Sequence, residues 1–223
     1  NHQYWKMGIY NGNTNQNAIV NYNYIEIGDF NNLNWDDEQY YGIQVYDSEV
    51  KFDTVIIFMK CGGYGVRADR STIEDNYIKV FQQYDCSAIV ALESNGDQNN
   101  RNSIKNNTIE ANGYARGIYS SYSDIFTNTM SQDHTGAYSY CCYQQDGYMY
   151  AIGWGDGNHI KGNTITNFEN GIKFDGYDNN VIDSNYIQVN RRGIYAPNSD
   201  SLIVTNNTIQ TNSNTIIYTT NGG

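Results

Sequence analysis

A six-residue pattern, apolar-x-x-Asn-x-apolar, recurs along the chain and limits what the chain can fold into. Asn takes the fourth position in seven copies, and Asp takes it in an eighth. These marker residues are Asn23, Asp53, Asn76, Asn107, Asn128, Asn163, Asn185 and Asn207. Their spacing has a base period of about 22 residues, lengthened in three intervals. Such a period predicts a repeat protein in which each copy is one structural unit.

A second marker, Gly followed by an apolar residue, keeps phase with the first. It begins at Gly42, Gly65, Gly117, Gly136, Gly171 and Gly193. Short alternating runs bounded by Gly and Asn, such as NTITN at 163–167, predict strands, and no stretch sustains a helical period. Leucine-rich repeats have a similar period, but the chain contains only three leucines, which excludes them.

The remaining solution is an all-β fold, a right-handed parallel β-helix of about eight coils with three loop insertions. Each repeat would form one coil, and equivalent residues would stack about 4.8 Å apart on successive coils. One such domain is predicted to span residues 1–223. The pattern resembles the β-helix repeats of the pectate-lyase-like superfamily from about Gly8 to Tyr218. That superfamily includes polygalacturonases, alginate epimerases, phage tailspikes and many surface proteins, so the resemblance implies a fold and leaves the activity open.

The marker Asn is predicted to lie at a tight bend between two strands. Asn tolerates left-handed backbone angles, and its amide can satisfy backbone groups of a turn. Stacked in register, the amides would form a hydrogen-bonded ladder with a structural role, as such ladders do in the superfamily that the chain resembles. The isoleucines that precede and follow each marker would form columns inside the solenoid. Residues after each marker would place a Thr/Tyr stripe outside, and Tyr119, Tyr138 and Tyr195 would form an aromatic column.

The amino-acid composition limits the expected binding partners of the protein and its expected location. The net charge is −11 and no cluster of Lys or Arg is found, so nucleic acid is not an expected partner. No apolar run is long enough to insert into a membrane. Cys61 and Cys86, about one period apart, are predicted to form a disulfide, whereas the state of Cys141 and Cys142 stays open. Sequons at Asn106 and Asn206, with the acidity, indicate an extracellular or cell-surface protein.

Insertions are where a solenoid often carries its function. They are predicted at Asp29 to Tyr41, Ala91 to Arg101 and Tyr138 to Gly157, the last two bordering a groove. Acid–base residues in or near them are Glu93, Asp97, Arg101, Asp133, His134, Asp146, Asp156, His159 and Lys161. If the chain is an enzyme, the expected catalytic residues are Glu93, Asp133, His134 and Asp156. The Asp-Pro-His-Asp motif of the epimerases and the Gly-His-Gly motif of the polygalacturonases are absent, which favours a role without catalysis.

No cofactor is expected, although calcium is considered at two acidic turns. Asn34 to Glu38 and Gly153 to Asn158 could each supply carboxylate and carbonyl oxygens, but neither matches a complete calcium-loop motif. Carboxylates at turns are common in a chain of this charge.

Two functions are therefore compatible with the sequence. The first is an extracellular structural protein that assembles head to tail with other copies of itself, through strands near Ile9 and Ile216 that are expected to share one phase. The second is a module that binds or cleaves a polysaccharide in a groove built from the insertions. Missing catalytic motifs favour the first.

Overall fold

The computed structural model describes residues 6–11, 17–28, 40–59, 62–82, 89–133, 149–213 and 215–220. Strands are the regular elements of these ranges, and no helix in them is long and apolar enough to cross a membrane. Most strands have three to seven residues, as expected for a chain rich in Ile, Thr and Tyr that is interrupted by Gly and Asn.

The first twelve strands in chain order are β1 (Lys6–Tyr10), β2 (Ile19–Asn21), β3 (Tyr24–Ile27), β4 (Tyr40–Tyr46), β5 (Glu49–Lys51), β6 (Thr54–Met59), β7 (Gly63–Asp69), β8 (Thr72–Glu74), β9 (Tyr77–Gln82), β10 (Ile89–Asn95), β11 (Asn102–Lys105) and β12 (Thr108–Gly113). The others are β13 (Arg116–Ser121), β14 (Ser123–Phe126), β15 (Thr129–Ser131), β16 (Tyr150–Gly153), β17 (His159–Lys161), β18 (Thr164–Thr166), β19 (Asn170–Lys173), β20 (Val181–Asp183), β21 (Tyr186–Val189), β22 (Arg192–Pro197), β23 (Ile203–Thr205), β24 (Thr208–Thr211) and β25 (Thr215–Thr220).

Every third strand belongs to the same parallel sheet. Sheet A contains β1, β4 and each third strand to β25, sheet B runs from β2 to β23, and sheet C from β3 to β24. One strand from each sheet makes one coil, so the described strands form eight coils, and β25 begins a ninth. The predicted parallel β-helix of about eight coils is confirmed.

The predicted Asn ladder is also confirmed, and it lies at the bend between sheets B and C. The backbone N–H of each marker donates to the side-chain oxygen of the marker on the next coil, from Asn23 through Asp53 to Asn207. The expectation that the marker itself has left-handed backbone angles was wrong, because the residue before each marker has them: Asn106 has a φ of 54° and Asn206 a φ of 55°. The columns on either side point inward, and Ile73, Ile104 and Ile125 are fully buried.

A second ladder, which the sequence analysis missed, lies five residues before the first. The backbone N–H of Ser48 donates to Ser71 Oγ, that of Ser71 to Asn102 Oδ1, that of Ser123 to Asn158 Oδ1, and that of Asn158 to Asn180 Oδ1. Asn102 Nδ2 donates to Ser123 Oγ, which closes the gap between them. The constant offset of five residues from the markers was a signal in the sequence, but the residue type varies between Ser and Asn there, which obscures it.

The predicted positions of the Gly-apolar marker were wrong in the middle of the solenoid and at its last strand. Ala91-Leu92 and Ala151-Ile152 occupy its place in coils four and six, because Leu92 pairs with Ile118, and Ile118 with Ile152. Gly136-Ala137 was therefore the wrong choice for coil six, and it lies outside the described residues. At the last strand, Ile217 rather than Ile216 continues the inner column, so the expected phase of Ile216 was wrong by one residue.

The insertions also differ from the prediction. Residues 89–95 and 150–153 form sheet A strands, so Ala91 to Arg101 and Tyr138 to Gly157 are each an insertion only in part. Within the first of them, residues 96–101 form a six-residue connection from β10 to β11. The three longest connections from sheet C to sheet A are 28–39, 83–88 and 132–149. All three leave from one corner of the solenoid, next to sheet A.

Candidate functional site

Aromatic and basic side chains gather on the outer face of sheet A. Arg116 and Tyr119 both line a surface cavity, whereas Gly117 and Ile118 between them are buried. The strand therefore departs from simple alternation at the Gly, and two residues of the coil turn outward. A Cβ atom on Gly117 would collide with the Ala151 carbonyl oxygen, which explains why a residue without a side chain stands there.

The cavity has a volume of about 270 Å³ and spans coils five to seven. Its walls are Arg116, Tyr119, Tyr150, Trp154, Lys173, Asp175 and Tyr177. The Trp154 ring stacks on Tyr119 at 4.7 Å between centroids and meets Tyr177 at 5.0 Å. Trp154 lies in the turn after β16 with a φ of 73°, and 44% of its surface is exposed. The aromatic rings thus form a platform open to solvent.

Cations surround this platform in a chain that is acidic overall. The Arg116 guanidinium lies 5.2 Å from the centre of the Tyr150 ring, and that of Arg192 lies 4.5 Å from the Tyr195 ring. Burial lowers the pKa of Lys173; Asp175 opposes the shift, and Arg116 and Arg192 add to it. Burial also raises the pKa of Tyr150 to about 12, while the nearby Arg116 opposes this shift.

A second group of side chains lies on the same face, around Glu93 in coil four. Glu93 Oε1 is 3.4 Å from Arg67 Nε and accepts a hydrogen bond of 3.3 Å from Asn95 Nδ2. Burial raises the pKa of Glu93, and this effect is opposed by Arg67 and by a hydrogen bond with Tyr64. The Tyr64 ring stacks on Tyr41 at 5.3 Å. Only 7% of Glu93 is exposed, which makes it a carboxyl group suited to acid–base chemistry.

The other proposed catalytic residues lie elsewhere. Asp133 is exposed at the corner after sheet C, where its carbonyl accepts from the Gly113 N–H. Asp156 lies at the opposite corner, and its Oδ1 accepts from the Asp178 N–H at 2.7 Å. His134 and Asp146 lie outside the described residues. The structure therefore does not gather Glu93, Asp133 and Asp156 into one constellation.

Several charged candidates have contacts on other faces. Arg101 and His159 meet at Asp124 on sheet B, with Arg101 Nη2 2.8 Å and His159 Nδ1 3.2 Å from Asp124 Oδ1. Lys161 pairs with Asp183 at 3.0 Å. Asp97 Oδ1 accepts from the backbone N–H groups of Asn99 and Asn100, which stabilises its own turn. These contacts stabilise the solenoid, which gives each of these residues a structural role.

The Gly153 to Asn158 turn does not fit calcium. Asn158 Nδ2 donates to the carbonyls of Trp154 and Gly155, and Arg101 Nη1 donates to the carbonyl of Gly157 at 2.8 Å. These oxygens already have donors, and the guanidinium would repel a cation. Asn34 to Glu38 lies outside the described residues. Within the described ranges no group of three or more His, Cys, Asp or Glu side chains could hold a metal ion.

The predicted modification sites have different outcomes. Cys61, Cys86, Cys141 and Cys142 lie outside the described residues. Asn106 and Asn206 are both exposed, and so are Thr108 and Thr208, the threonines of their sequons. Glycosylation stays a prediction.

Sequence reasoning identified Glu93 and Tyr119 but missed Tyr64, Arg67, Tyr150 and Trp154. Tyr138, proposed for the aromatic column, lies outside the described residues, and Gly153 and Lys173 separate Tyr119 from Tyr195 in that row. The missed residues lie at constant distances along the sequence from the Gly-apolar marker. If Ala91 and Ala151 had been recognised as the marker residues of coils four and six, the missed residues would have aligned with their equivalents on neighbouring coils.

Comparison with known proteins gives one family. A family model described as a right handed beta helix region matches residues 90–223. Searches of the curated proteins and of the solved structures each gave no match.

Proposed function

Because this chain belongs to the right-handed β-helix family, whose fold alone does not specify an activity, we propose from its surface that the outer face of sheet A binds an extended, acidic polysaccharide. The observation that carries this proposal is the aromatic platform beside Arg116 and Lys173, in which Tyr119 stacks on Trp154 and Tyr177 is tilted against it. Flat aromatic rings pack against the apolar faces of sugar rings, and the cations attract carboxylate or sulfate groups.

The length of the face suits a polymer. Sheet A presents its outer residues on successive coils about 4.8 Å apart, so a chain of sugars can contact several coils at once. Positive charge is distributed over two rows of outer residues in sheet A. Arg67 and Lys173 lie in one row, in coils three and seven, and Arg116 and Arg192 lie in the other, in coils five and eight. Weak contacts repeated along a polymer add up to useful affinity.

Native affinity electrophoresis in gels containing dextran sulfate, alginate or neutral dextran tests the proposal. We expect dextran sulfate and alginate to retard the protein, neutral dextran to do so less, and added salt to weaken the effect. Trp154→Ala should lower the affinity about tenfold. Phe52→Ala, which removes an exposed aromatic ring on another corner, is the matched control. Equal retardation of Trp154→Ala and the unmodified protein would contradict the proposal.

Cleavage of the bound polymer is a separate proposal that Glu93 supports, since its buried carboxyl group lies on the same face. We expect Glu93→Gln to retain binding and to lose any release of new sugar ends, measured with a reducing-end assay. Release that persists at the same rate in Glu93→Gln would remove Glu93 from catalysis.

Self-assembly is a second candidate function, supported by the exposed apolar side chains of the last described strands. Ile203, Ile216 and Ile217 are each about half exposed, and β25 pairs with β22 on one side. Ile216 occupies the position that holds Gly or Ala in the inner coils, where a side chain would collide with the backbone of the next coil. A second copy would therefore dock against this end without adding a coil in the same strand register. Sedimentation should detect oligomers that Ile216→Lys reduces, and a monomer at all concentrations would exclude them.

An extracellular or cell-surface location is proposed together with polysaccharide binding. It is supported by the exposed sequons at Asn106 and Asn206 and by the acidic composition. Expression in a secreting eukaryotic host, followed by glycosidase treatment, would reveal a mass shift at each occupied sequon.

A further inference from the structure

The Asn ladder uses both side-chain atoms of each asparagine. Asn107 Oδ1 accepts from the backbone N and the Nδ2 of Asn76, each at 3.0 Å. Asn107 Nδ2 donates to Asn128 Oδ1 at 3.0 Å and to the Ile73 carbonyl at 2.9 Å. The same four contacts recur at Asn128 and Asn163. One side-chain atom must therefore accept, and the other must donate.

Asp53 occupies one position of this ladder without an amide donor. Its Oδ1 accepts from the Asn23 backbone N at 2.6 Å and from Asn23 Nδ2 at 2.9 Å, and its own N–H donates to Asn76 Oδ1 at 2.9 Å. Oδ2 takes the place of the amide nitrogen. It is buried without a hydrogen-bond partner, and only 1% of the residue is exposed.

The repeat identifies what Oδ2 faces. Asn76 Nδ2 donates to the carbonyl of Val50, three residues before the preceding marker, so the equivalent group for Asp53 is the carbonyl of Val20. The next marker oxygen, Asn76 Oδ1, is the second neighbour by the same geometry. Both groups are acceptors. A carboxylate at this position would set its negative charge against two oxygens with no donor.

Described charged groups near Asp53 point away from the ladder. On sheet B, Lys51 lies on the outer face, where it pairs with Glu49 at 3.4 Å and Glu74 at 3.6 Å. On sheet C, Tyr24 and Glu26 are exposed and hydrogen-bond to each other. Tyr77 is outward on the neighbouring strand and interacts with Glu110, and Asp75 is exposed at the bend. None of these groups supplies a compensating charge to Oδ2.

We propose that Asp53 is present in the folded ladder as the neutral carboxylic acid, with its Oδ2 hydrogen donated to the Val20 carbonyl or to Asn76 Oδ1, and that this makes the contact between the first two coils pH-sensitive. Burial raises the pKa of Asp53, and the hydrogen bonds from Asn23 oppose the shift only in part. In the unfolded chain an Asp ionises near pH 4. Unfolding therefore releases a proton above that pH, and the ladder contact loses stability as pH rises through the pKa of the folded state.

Thermal unfolding between pH 4 and pH 8 tests this inference with the variant Asp53→Asn. Asn restores the missing donor, so we expect the difference in Tm between Asp53→Asn and the unmodified protein to grow with pH, by about 5 °C or more at pH 8. Asp75→Asn removes the same charge at an exposed neighbouring position and is the control. Its curve should run parallel to that of the unmodified protein.

A direct readout is the carboxyl ¹³C resonance of Asp53, assigned by its loss in Asp53→Asn. A chemical shift typical of a protonated acid near neutral pH is the expected result. The inference would be overturned if that resonance titrated near pH 4, or if the Tm difference for Asp53→Asn were constant across the pH range. Both measurements use the full chain and require no ligand, so their outcome does not depend on polysaccharide binding.

Discussion

Among single residues, Asn128 shows how one buried amide holds neighbouring coils together. Its Oδ1 accepts from the backbone N and the Nδ2 of Asn107, and its Nδ2 donates to the carbonyl of Ile104. Only 1% of Asn128 is exposed, so water cannot replace these contacts. The same bend is exposed one residue earlier, at Thr127, which explains why the sequence varies there but keeps Asn or Asp at the marker.

Replacing Asn128 by Ala should cost about 3 kcal/mol of unfolding free energy, because the buried N–H of Asn107 loses its acceptor. Urea denaturation followed by circular dichroism measures the change. Asn99→Ala, at an exposed turn position, should change the free energy by less than about 0.5 kcal/mol. A similar cost for the two variants would show that the ladder amide contributes little.

Glu93 leads to a pH prediction for binding. Burial raises its pKa, so the carboxyl group becomes neutral at a higher pH than an exposed glutamate does. Neutral Glu93 no longer offsets Arg67, and the face becomes more positive as pH falls. The affinity for dextran sulfate, whose own charge does not change in this range, should rise from pH 8 to pH 5. Glu93→Gln should remove part of this pH dependence, and an unchanged profile would contradict the assignment.

Among the elements, the strands of sheet A differ from those of the other two sheets. In the described strands of sheets B and C the alternation of inward and outward residues is interrupted only at the end of β9, where Phe81 is buried between Val80 and Gln82; β6, for example, is buried at every second residue. In sheet A, a residue without a large side chain interrupts the alternation at positions such as Gly42, Gly65 and Gly117. This interruption turns residues on both sides outward and so supplies the aromatic and basic side chains of the candidate site.

Gly117→Ala should therefore cost more than an ordinary Gly to Ala change. Its new Cβ atom would collide with the Ala151 backbone, which cannot rotate away, and we expect a loss of about 3 kcal/mol. Gly176→Ala is the matched control: it has a φ of 72° and open space around it, so only the backbone strain of about 1 kcal/mol applies. Thermal melts of the two variants compare these costs. Equal shifts would mean that sheet A relaxes around the extra atom.

On the scale of the whole molecule, stability should vary along the axis of the solenoid. In the inner coils Ile104, Ile125 and Ile160 are fully buried, whereas Ile203 and Ile217 in the last described strands are about half exposed. Each coil contacts mainly its two neighbours, so an outer coil lacks half of the stacking that an inner coil receives.

Hydrogen exchange should follow this gradient. Backbone amides of β11, β14 and β17 should exchange at least about a hundredfold more slowly than those of β23 and β25, because local opening of an outer strand breaks fewer contacts. Mass spectrometry of peptic fragments provides the measurement. Uniform protection from one end to the other would indicate that the outer strands are covered, as self-assembly would require.

The fold could be predicted from the amino-acid sequence. A period of about 22 residues, the marker Asn and the inner isoleucine columns predict stacked coils, because equivalent residues of each coil must satisfy the same backbone groups and the same buried space. The ladder from Asn23 to Asn207 was predictable for the same reason. Asp53 was recognised as a member of it, but the missing donor at Oδ2 became visible only when the neighbouring coils were in place.

The set of residues that share the outer face of sheet A could not be predicted from the sequence and became visible only in the folded chain. Tyr119 and Tyr150 are separated by a connection of unequal length, 132–149, and the coil that follows replaces the Gly marker with Ala151. Stacking depends on register between coils rather than on distance along the chain, so unequal connections conceal it. The platform around Trp154 and the pairing of Glu93 with Arg67 arise from that register, because each contact joins side chains from different coils.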